Sequence, residues 1–182
     1  MENLLQKLRK ARNILEFLAI LNTYMELNNI GKIIITGGFA VELYTNRAYR
    51  TGDVDIIVVG NKEFLEQVLN SIGRRSGRVW ELEYFSDKAI DIVSTMYIKP
   101  KSPVKLRVGE RWIYVEPVEE IIITCLAACK FWQSDIDCEK AAMLLVAQRD
   151  HIDWEYLMRR AEREEVLDKL FEIKKKIEEK LR

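Results

Sequence analysis

The 182-residue sequence has few cysteines, one histidine, three prolines and no excess of charge of either sign. The absence of a Cys-x-x-Cys pair excludes a zinc ribbon. Three cysteines are also too few for a disulfide framework in a chain of this length, so none is predicted. The 29 basic and 29 acidic side chains cancel, which excludes the basic excess typical of a dedicated nucleic-acid-binding protein. No segment approaches the ~18 apolar residues of a membrane span, so we expect no membrane partner.

The first 27 residues also lack the features of a signal peptide, because charged residues interrupt their apolar positions. A reducing cytoplasm is therefore the expected location. The hydrophobic fraction of 48% predicts a globular chain with a true core. Few glycines and prolines beside abundant Glu, Lys, Arg and Ile resemble the composition of proteins from thermophiles.

Apolar periodicity predicts a mixed first part and a helical second part. The first part comprises a helix through the apolar positions from Leu4 to Met25 that ends near Asn28-Asn29, strands at 32–36 and 53–59, helices at 39–44 and 62–72, strands at 79–85 and 89–96, and a hairpin around Gly109-Glu110. Gly73 is expected to cap the helix over 62–72. After Pro117, helices are expected over 118–132, 138–147, 154–161 and from Glu164 to the end. Both a single α+β domain and a sheet domain (1–116) followed by a helical bundle (117–182) fit this order.

Three aspartates lie in strands that are otherwise apolar. Asp53 and Asp55 are two residues apart, so their side chains project from the same face of their strand. Asp91 lies between two isoleucines on a strand of its own. Carboxylates in apolar strands repel each other and resist desolvation, and a hard divalent cation such as Mg²⁺ would compensate for both effects. The pattern predicts that Asp53, Asp55 and Asp91 bind one or two metal ions.

Gly37-Gly38 ends a buried strand and opens a helix, fifteen residues before Asp53. Such a turn presents backbone N–H groups and a helix N-terminus, and no side chain obstructs the approach of phosphate oxygens. We therefore expect Gly37 and Gly38 to contact the phosphates of a nucleotide.

The Gly37-Gly38 turn, the segment Arg50-Thr51-Gly52-Asp53-Val54-Asp55 and the lone Asp91 together resemble the nucleotidyltransferase superfamily with the DNA polymerase β-like fold. Within it, the chain is most similar to small prokaryotic and archaeal proteins of the AbiEii-toxin-like type. The resemblance covers residues 33–92. It implies an α+β fold with a mixed β-sheet core flanked by helices and followed by a C-terminal helical bundle.

The resemblance also implies roles for individual residues. Asp53 and Asp55 would bind Mg²⁺ or Mn²⁺, and Asp91 would bind metal or act as general base. Many relatives carry a lysine on the first helix of the helical part with an aspartate shortly after it. Lys130, with Asp135 or Asp137, would occupy those positions, and Lys130 would contact phosphate oxygens. Gly38 stands where many members have serine.

Several other residues have either a functional or a purely structural interpretation. Arg50 would contact the carboxylates or a phosphate, or lie solvated in its loop. Thr51 would assist nucleotide binding or bond its own backbone in the turn. Cys125 and Cys129 are expected to be core residues, and His151 is expected at a helix boundary without a catalytic role.

Three functions follow from these motifs. The first is metal-dependent transfer of a nucleoside monophosphate (NMP) from a nucleoside triphosphate (NTP) such as ATP to a hydroxyl of a tRNA, a protein or a small molecule. One version that the resemblance allows is the toxin of a toxin–antitoxin pair, with an antitoxin as partner. The second is an inactive nucleotide- or partner-binding module on the same fold. The third is an antitoxin-like protein whose helical part binds a partner through Trp132 and Trp154.

Overall fold

The computed structural model describes residues 1–180. The helices within that range are α1 (Glu2–Arg9), α2 (Ile14–Leu27), α3 (Gly37–Tyr44), α4 (Lys62–Asn70), α5 (Val118–Phe131), α6 (Asp135–Ala147), α7 (Trp154–Arg163) and α8 (Leu167–Lys180). The strands are β1 (Gly31–Ile35), β2 (Asp53–Gly60), β3 (Gly73–Ser76), β4 (Val79–Leu82), β5 (Ala89–Ser94), β6 (Val104–Val108) and β7 (Arg111–Val115). The chain divides into two compact units: Met1–Phe39 with Thr51–Glu116, and Ala40–Arg50 with the chain from Pro117 onward.

The first unit is built on a mixed seven-stranded sheet in the order β3-β4-β5-β2-β1-β7-β6. β2 runs antiparallel to β1 and parallel to β5, and β1 runs parallel to β7. These directions bring the end of β1 beside the start of β2 and the end of β7. The expected α+β class with a mixed sheet and a helical C-terminal part is confirmed.

Helices α2 and α4 cover the sheet and close the core of the first unit. Helix α2 packs on β1 and β7, and α4 packs on β3 and β4. The rings of Tyr24 and Phe64 stack at 6.0 Å between centroids, which joins the two helices. β1 and β2 contribute fully buried β-branched side chains, as expected of central strands: Ile33, Ile34, Ile35, Val54, Ile56 and Val58.

The predicted single N-terminal helix is wrong, because the chain forms two helices with a break between Arg9 and Ile14. Asn13 is the N-cap of α2, and its side-chain oxygen accepts a hydrogen bond from the Glu16 N–H at 2.9 Å. An N-cap residue has extended backbone geometry, so it cannot also continue the preceding helix. The apolar spacing runs across the break and therefore does not reveal it.

Gly73 was predicted as a helix cap, and this prediction is also wrong. Helix α4 ends at Asn70 with Ser71 as its C-cap, and Gly73 begins the edge strand β3. β3 consists of Gly73-Arg74-Arg75-Ser76 and has no apolar alternation from which a strand could be predicted. The segment forms a strand because it pairs with β4. The two backbones approach closely, since a Cβ built at Gly73 would lie 2.7 Å from the Glu81 carbonyl oxygen.

The second unit is helical. α5 packs against α6, α7 and α8, and α8 also contacts α6 and α7. The helix expected from Glu164 begins instead at Leu167, because Glu165 has a φ of 57° and interrupts the helical path after α7. Its predicted last residues, 181 and 182, lie outside the described part of the chain. His151 lies exposed in the turn between α6 and α7, as expected.

Cys129 and Cys138 form one disulfide, which the prediction of no disulfide framework did not anticipate, and Cys129 is buried as expected of a core residue. The two residues lie on α5 and α6, which a short turn joins, so the helix ends bring residues nine apart in sequence within a Cα–Cα distance of 4.9 Å. Cys125 is a buried free cysteine, as expected of a core residue.

None of the helices within residues 1–180 combines the length and the apolar character that crossing a membrane requires.

Candidate active site

The predicted carboxylates and the glycine turn meet at one edge of the sheet in the first unit. β1 ends at Ile35, and Gly37 follows as the first residue of α3. The Thr36 N–H donates to the Asp55 carbonyl oxygen at 3.0 Å, which fixes the turn beside the start of β2. Gly37 has a φ of 58°, a conformation that favours glycine.

The register of the parallel strands brings the three aspartates to the same face. Asp55 is the register partner of Asp91, and Asp53 is the partner of Ala89 one step earlier. Neighbouring strands lie ~4.8 Å apart, and register partners in parallel strands point the same way. Exposure differs within the group: Asp53 is exposed, Asp55 is half-buried and Asp91 is 4% exposed.

Burial and the neighbouring negative charges both raise the pKa of Asp55. Burial raises the pKa of its carboxyl, and the charges of Asp91 and Asp53 raise it further. A hydrogen bond from the Gly38 N–H and the nearby charge of Arg78 lower the pKa of Asp55 by smaller amounts. This environment therefore disfavours the ionised form of Asp55, and a cation bound beside it would counteract that effect.

Arg78 is the cationic side chain that pairs with this group. Its Nε atom lies 2.8 Å from an Asp91 carboxylate oxygen. Within residues 1–180, no group of three or more Asp, Glu, His or Cys side chains is arranged to hold a metal ion. The chemistry of the donor set still fits a hard divalent cation at Asp53 and Asp55, since both offer carboxylate oxygens on one face and Asp55 retains uncompensated charge.

Both glycines of the turn are packed against functional candidates. A Cβ built on Gly37 would lie 2.2 Å from Asp55 Oδ2, so only glycine leaves room for this carboxylate. A Cβ on Gly38 would lie 3.3 Å from Thr51 Oγ1, so Thr51 occupies the space beside position 38. The Thr51 hydroxyl also accepts a hydrogen bond from the Asp53 N–H at 3.2 Å, which agrees with the expected local turn.

Substituting alanine for Gly37 is expected to displace Asp55. The matched control is Gly109→Ala, because Gly109 has a φ of 63° and open space around it. Both variants should lose roughly 1–2 kcal/mol of unfolding free energy from the left-handed backbone. Mn²⁺ is expected to raise the melting temperature of the native protein, and only Gly37→Ala should lose this increase. Equal responses of the two variants to Mn²⁺ in a thermal melt would show that Gly37 does not position Asp55 for metal binding.

Lys88 and Arg78 are two residues of this region that sequence reasoning missed. Lys88 is 9% exposed, its ammonium donates to the Thr51 carbonyl oxygen, and it lies 5.2 Å from the centre of the Phe39 ring. Both residues lie in turns between strands, where a charged side chain is ordinary. Their positions depend on strand register, so the sequence carries no signal for them.

Glu116 is a third residue of this region that sequence reasoning missed, although the sequence contains a signal for it. The side chain is 2% exposed, accepts a hydrogen bond from the Thr36 hydroxyl and lies 3.9 Å from the Lys99 ammonium. Its N–H donates to the Ile35 carbonyl oxygen at 2.8 Å, so it follows β7 at the edge where β1 ends. Glu116 directly follows β7, whose last residues Ile113, Tyr114 and Val115 are apolar or aromatic, so the sequence itself marks an acid at a strand end.

A recess of about 580 Å³ adjoins Asp53. It is lined by carboxylates, two basic residues and an aromatic ring, including Asp53, Arg74, Glu81, Phe85, Asp87 and Lys88. Mixed charge beside an exposed aspartate provides contacts for a charged, partly aromatic ligand.

The remaining predicted site residues, Arg50 and Lys130, belong to the second unit. The Lys130 ammonium lies 2.8 Å from Asp168 Oδ1 and donates to the Glu165 carbonyl oxygen at 2.6 Å. Asp137 accepts from the Ser134 hydroxyl and from Lys140. The structure thus pairs Lys130 with α8 rather than with Asp137, and its role toward phosphate stays a prediction.

Comparison with solved structures supports the fold. An antigenic nucleotidyltransferase-like protein from Paracoccidioides brasiliensis superposes with a TM-score of 0.59 at 12% identity, over 88% of this chain and 90% of its own. ANT(2″)-Ia in complex with adenylyl-2″-tobramycin superposes with a TM-score of 0.53 at 13% identity, over 90% and 95%. No family model and no curated protein sequence matches the chain. The chain thus has a nucleotidyltransferase-like fold.

Proposed function

We propose that the protein is a metal-dependent nucleotidyltransferase that transfers NMP from an NTP to a hydroxyl acceptor. The observation that carries the proposal is the meeting of Asp53, Asp55 and Asp91 on one face of adjacent strands, with Gly37 packed against Asp55. The nucleotidyltransferase-like fold supports it. Fold alone does not define an activity, so the site carries the argument.

Asp53 and Asp55 are the residues that would hold Mg²⁺ or Mn²⁺. A divalent cation bound there would polarise phosphoryl oxygens of the NTP and offset their negative charge. The N–H groups of the turn at Gly37 and Gly38 would orient the triphosphate, and Thr51 would keep its hydroxyl beside Gly38. Arg50 and Lys130 are further candidates for phosphate contacts through their positive charge.

Asp91 would accept the proton of the attacking hydroxyl. The acceptor oxygen forms a bond to the α-phosphorus, the bond from that phosphorus to the bridging oxygen of pyrophosphate breaks, and pyrophosphate leaves. Asp91 is nearly buried and paired with Arg78, so the proton transfer requires that this ion pair opens.

The acceptor belongs to one of three classes: tRNA, protein or small molecule. The zero net charge gives no general attraction for a polyanion such as tRNA. The solved complex of ANT(2″)-Ia contains an adenylylated tobramycin, which supports including small polyhydroxylated molecules among the acceptors. We propose the small-molecule class as the first to test.

From the sequence resemblance we also propose membership of the AbiEii-toxin-like group and a role as the toxin of a toxin–antitoxin pair. A cytoplasmic location and a thermophilic source are proposals from the composition of the sequence. We also propose that residues 1–116 form the catalytic domain and residues 117–182 the domain that selects the acceptor.

One specific observation favours the alternative of an inactive nucleotide- or partner-binding module. Arg78 already neutralises Asp91, and the described carboxylates are not arranged as a three-ligand metal group. A protein that only binds nucleotide would retain such an ion pair permanently.

A transfer assay separates the two functions. The protein is incubated with each α-³²P-labelled NTP and Mg²⁺ or Mn²⁺, with polyhydroxylated small molecules, total tRNA or cell protein as acceptors. The active enzyme should move label to one acceptor class and release pyrophosphate, and Asp53→Ala should lose the transfer by about a thousandfold. Measurable NTP binding without transfer to any acceptor would favour the module.

A further inference from the structure

The hairpin of β3 and β4 places three arginines near the sheet edge, and they have different partners. Arg74 is 2.7 Å from Glu81, on the opposite strand of the hairpin. Arg75 lies 4.7 Å from the centre of the Trp80 ring and donates to the Gly77 carbonyl oxygen at 3.1 Å. Arg78 is the arginine of this hairpin that pairs with the predicted metal-binding acids.

The pair of Arg78 and Asp91 is strongly asymmetric. The Asp91 side chain is 5% exposed, whereas the Arg78 side chain is 83% exposed. The Asp91 backbone is fixed within the sheet, because Asp91 pairs with Asp55 on one side and with Val79 on the other. The guanidinium, by contrast, extends from a turn over the surface and can leave its partner without moving a strand.

A buried carboxylate without a cation is costly, so Arg78 stabilises Asp91 in the free protein. A divalent cation beside Asp53 and Asp55 would also be attracted by the negative charge of the Asp91 carboxylate. It would also repel the guanidinium, since both are positively charged and share the Asp91 carboxylate. Arg78 and the cation therefore cannot both interact with Asp91 at full strength.

We propose that Arg78 is a positioning residue that holds Asp91 in place in the metal-free protein and competes with the divalent cation for the charge of this carboxylate. The inference rests on the proposed function, because it takes Asp91 as part of the metal- and nucleotide-binding site. The competition makes the native site bind metal more weakly than its carboxylates alone would allow. It also means that a bound cation weakens the contact between Arg78 and Asp91.

Mn²⁺ binding without nucleotide tests the inference. Free Mn²⁺ is measured by electron paramagnetic resonance at low ionic strength, where surface charges are least screened. Arg78→Gln should bind Mn²⁺ about fivefold more tightly than the native protein, which corresponds to ~1 kcal/mol. Arg78→Lys should fall between the two, because it keeps the charge and loses the planar fork. Arg75→Gln is the matched control on the same hairpin and should bind like the native protein.

The double variant Arg78→Gln/Asp91→Asn separates the effect of the pair from a general effect of charge. In the Asp91→Asn background, removal of Arg78 should leave the Mn²⁺ affinity nearly unchanged. Circular dichroism confirms that each variant is folded before titration. Equal or weaker Mn²⁺ binding by Arg78→Gln in a protein whose native form binds Mn²⁺ would overturn the competition and leave the metal site standing. A native protein that binds no Mn²⁺ would overturn the metal site itself, and the competition with it.

Discussion

Replacing Asp55 with asparagine is expected to reduce NMP transfer by about a thousandfold or more and, at neutral pH, to make the protein more resistant to heat. The loss of activity follows from the loss of a carboxylate that would hold the cation, since metal stabilisation of transition-state charge is worth several kcal/mol. The measurement is kcat/KM for the accepted substrate, with the metal ion at saturating concentration.

The gain in stability follows from the raised pKa of Asp55. The folded protein holds the Asp55 proton more tightly than the unfolded chain, because burial and the charges of Asp91 and Asp53 disfavour ionisation. The stability that this group contributes is therefore present in acid and is lost as the pH rises through its folded-state pKa. Above that pH the native protein bears the full cost of the charge, and Asp55→Asn does not.

Like charges on facing strand positions cost roughly 0.2–1 kcal/mol, so Asp55→Asn should melt about 1–4 °C above the native protein at neutral pH. The difference should shrink as the pH approaches 4. Glu63→Gln, at an exposed carboxylate of α4, is the control and should change neither activity nor melting temperature. An Asp55→Asn variant that keeps its activity and melts below the native protein would contradict both parts of the account.

The second large effect is expected in the helical unit, at a buried ion pair. Both oxygens of Glu120, which is fully buried, accept hydrogen bonds from Arg160, at 3.1 and 3.2 Å, and the Tyr156 hydroxyl also donates to Glu120. Burial and the bond to Glu120 raise the pKa of Tyr156 to about 12. Glu120→Ala would leave Arg160 buried with only its bond to Glu164, so we expect a loss of about 3–5 kcal/mol.

Such a loss lowers the melting temperature of a chain of this length by roughly 6–20 °C, which far-ultraviolet circular dichroism detects. Glu155→Ala is the matched control, because Glu155 forms an exposed ion pair with Arg159 at 2.6 Å on α7. Exposed i,i+4 pairs contribute about 0.3–0.5 kcal/mol. Comparable losses from Glu120→Ala and Glu155→Ala would show that the buried network contributes little to stability.

The strongest sequence predictions were those that depended on local periodicity. β1 and β2 are runs of β-branched residues that end at glycines, and the structure places them within a residue or two of the predicted bounds. Strand alternation by itself also places Asp53 and Asp55 on one face. Their side-chain placement follows from the backbone repeat, so it needs no long-range information.

The features that escaped prediction depend on contacts between distant residues. β3 is polar and becomes a strand through its pairing with β4. The disulfide joins cysteines whose separation has no characteristic motif, and only the turn between α5 and α6 brings them together. The pairing of Arg78 with Asp91 requires the register of β4 on β5, which periodicity does not define.

Asp53 and Asp55 together would hold the divalent cation of a nucleotidyltransferase, and anomalous diffraction from crystals grown with Mn²⁺ and a non-hydrolysable NTP analogue would locate that cation. We expect an Mn²⁺ peak roughly 2.1 Å from a carboxylate oxygen of each aspartate, with the triphosphate against the turn at Gly37 and Gly38. Nucleotide bound elsewhere, with no Mn²⁺ peak beside Asp53 and Asp55, would contradict it.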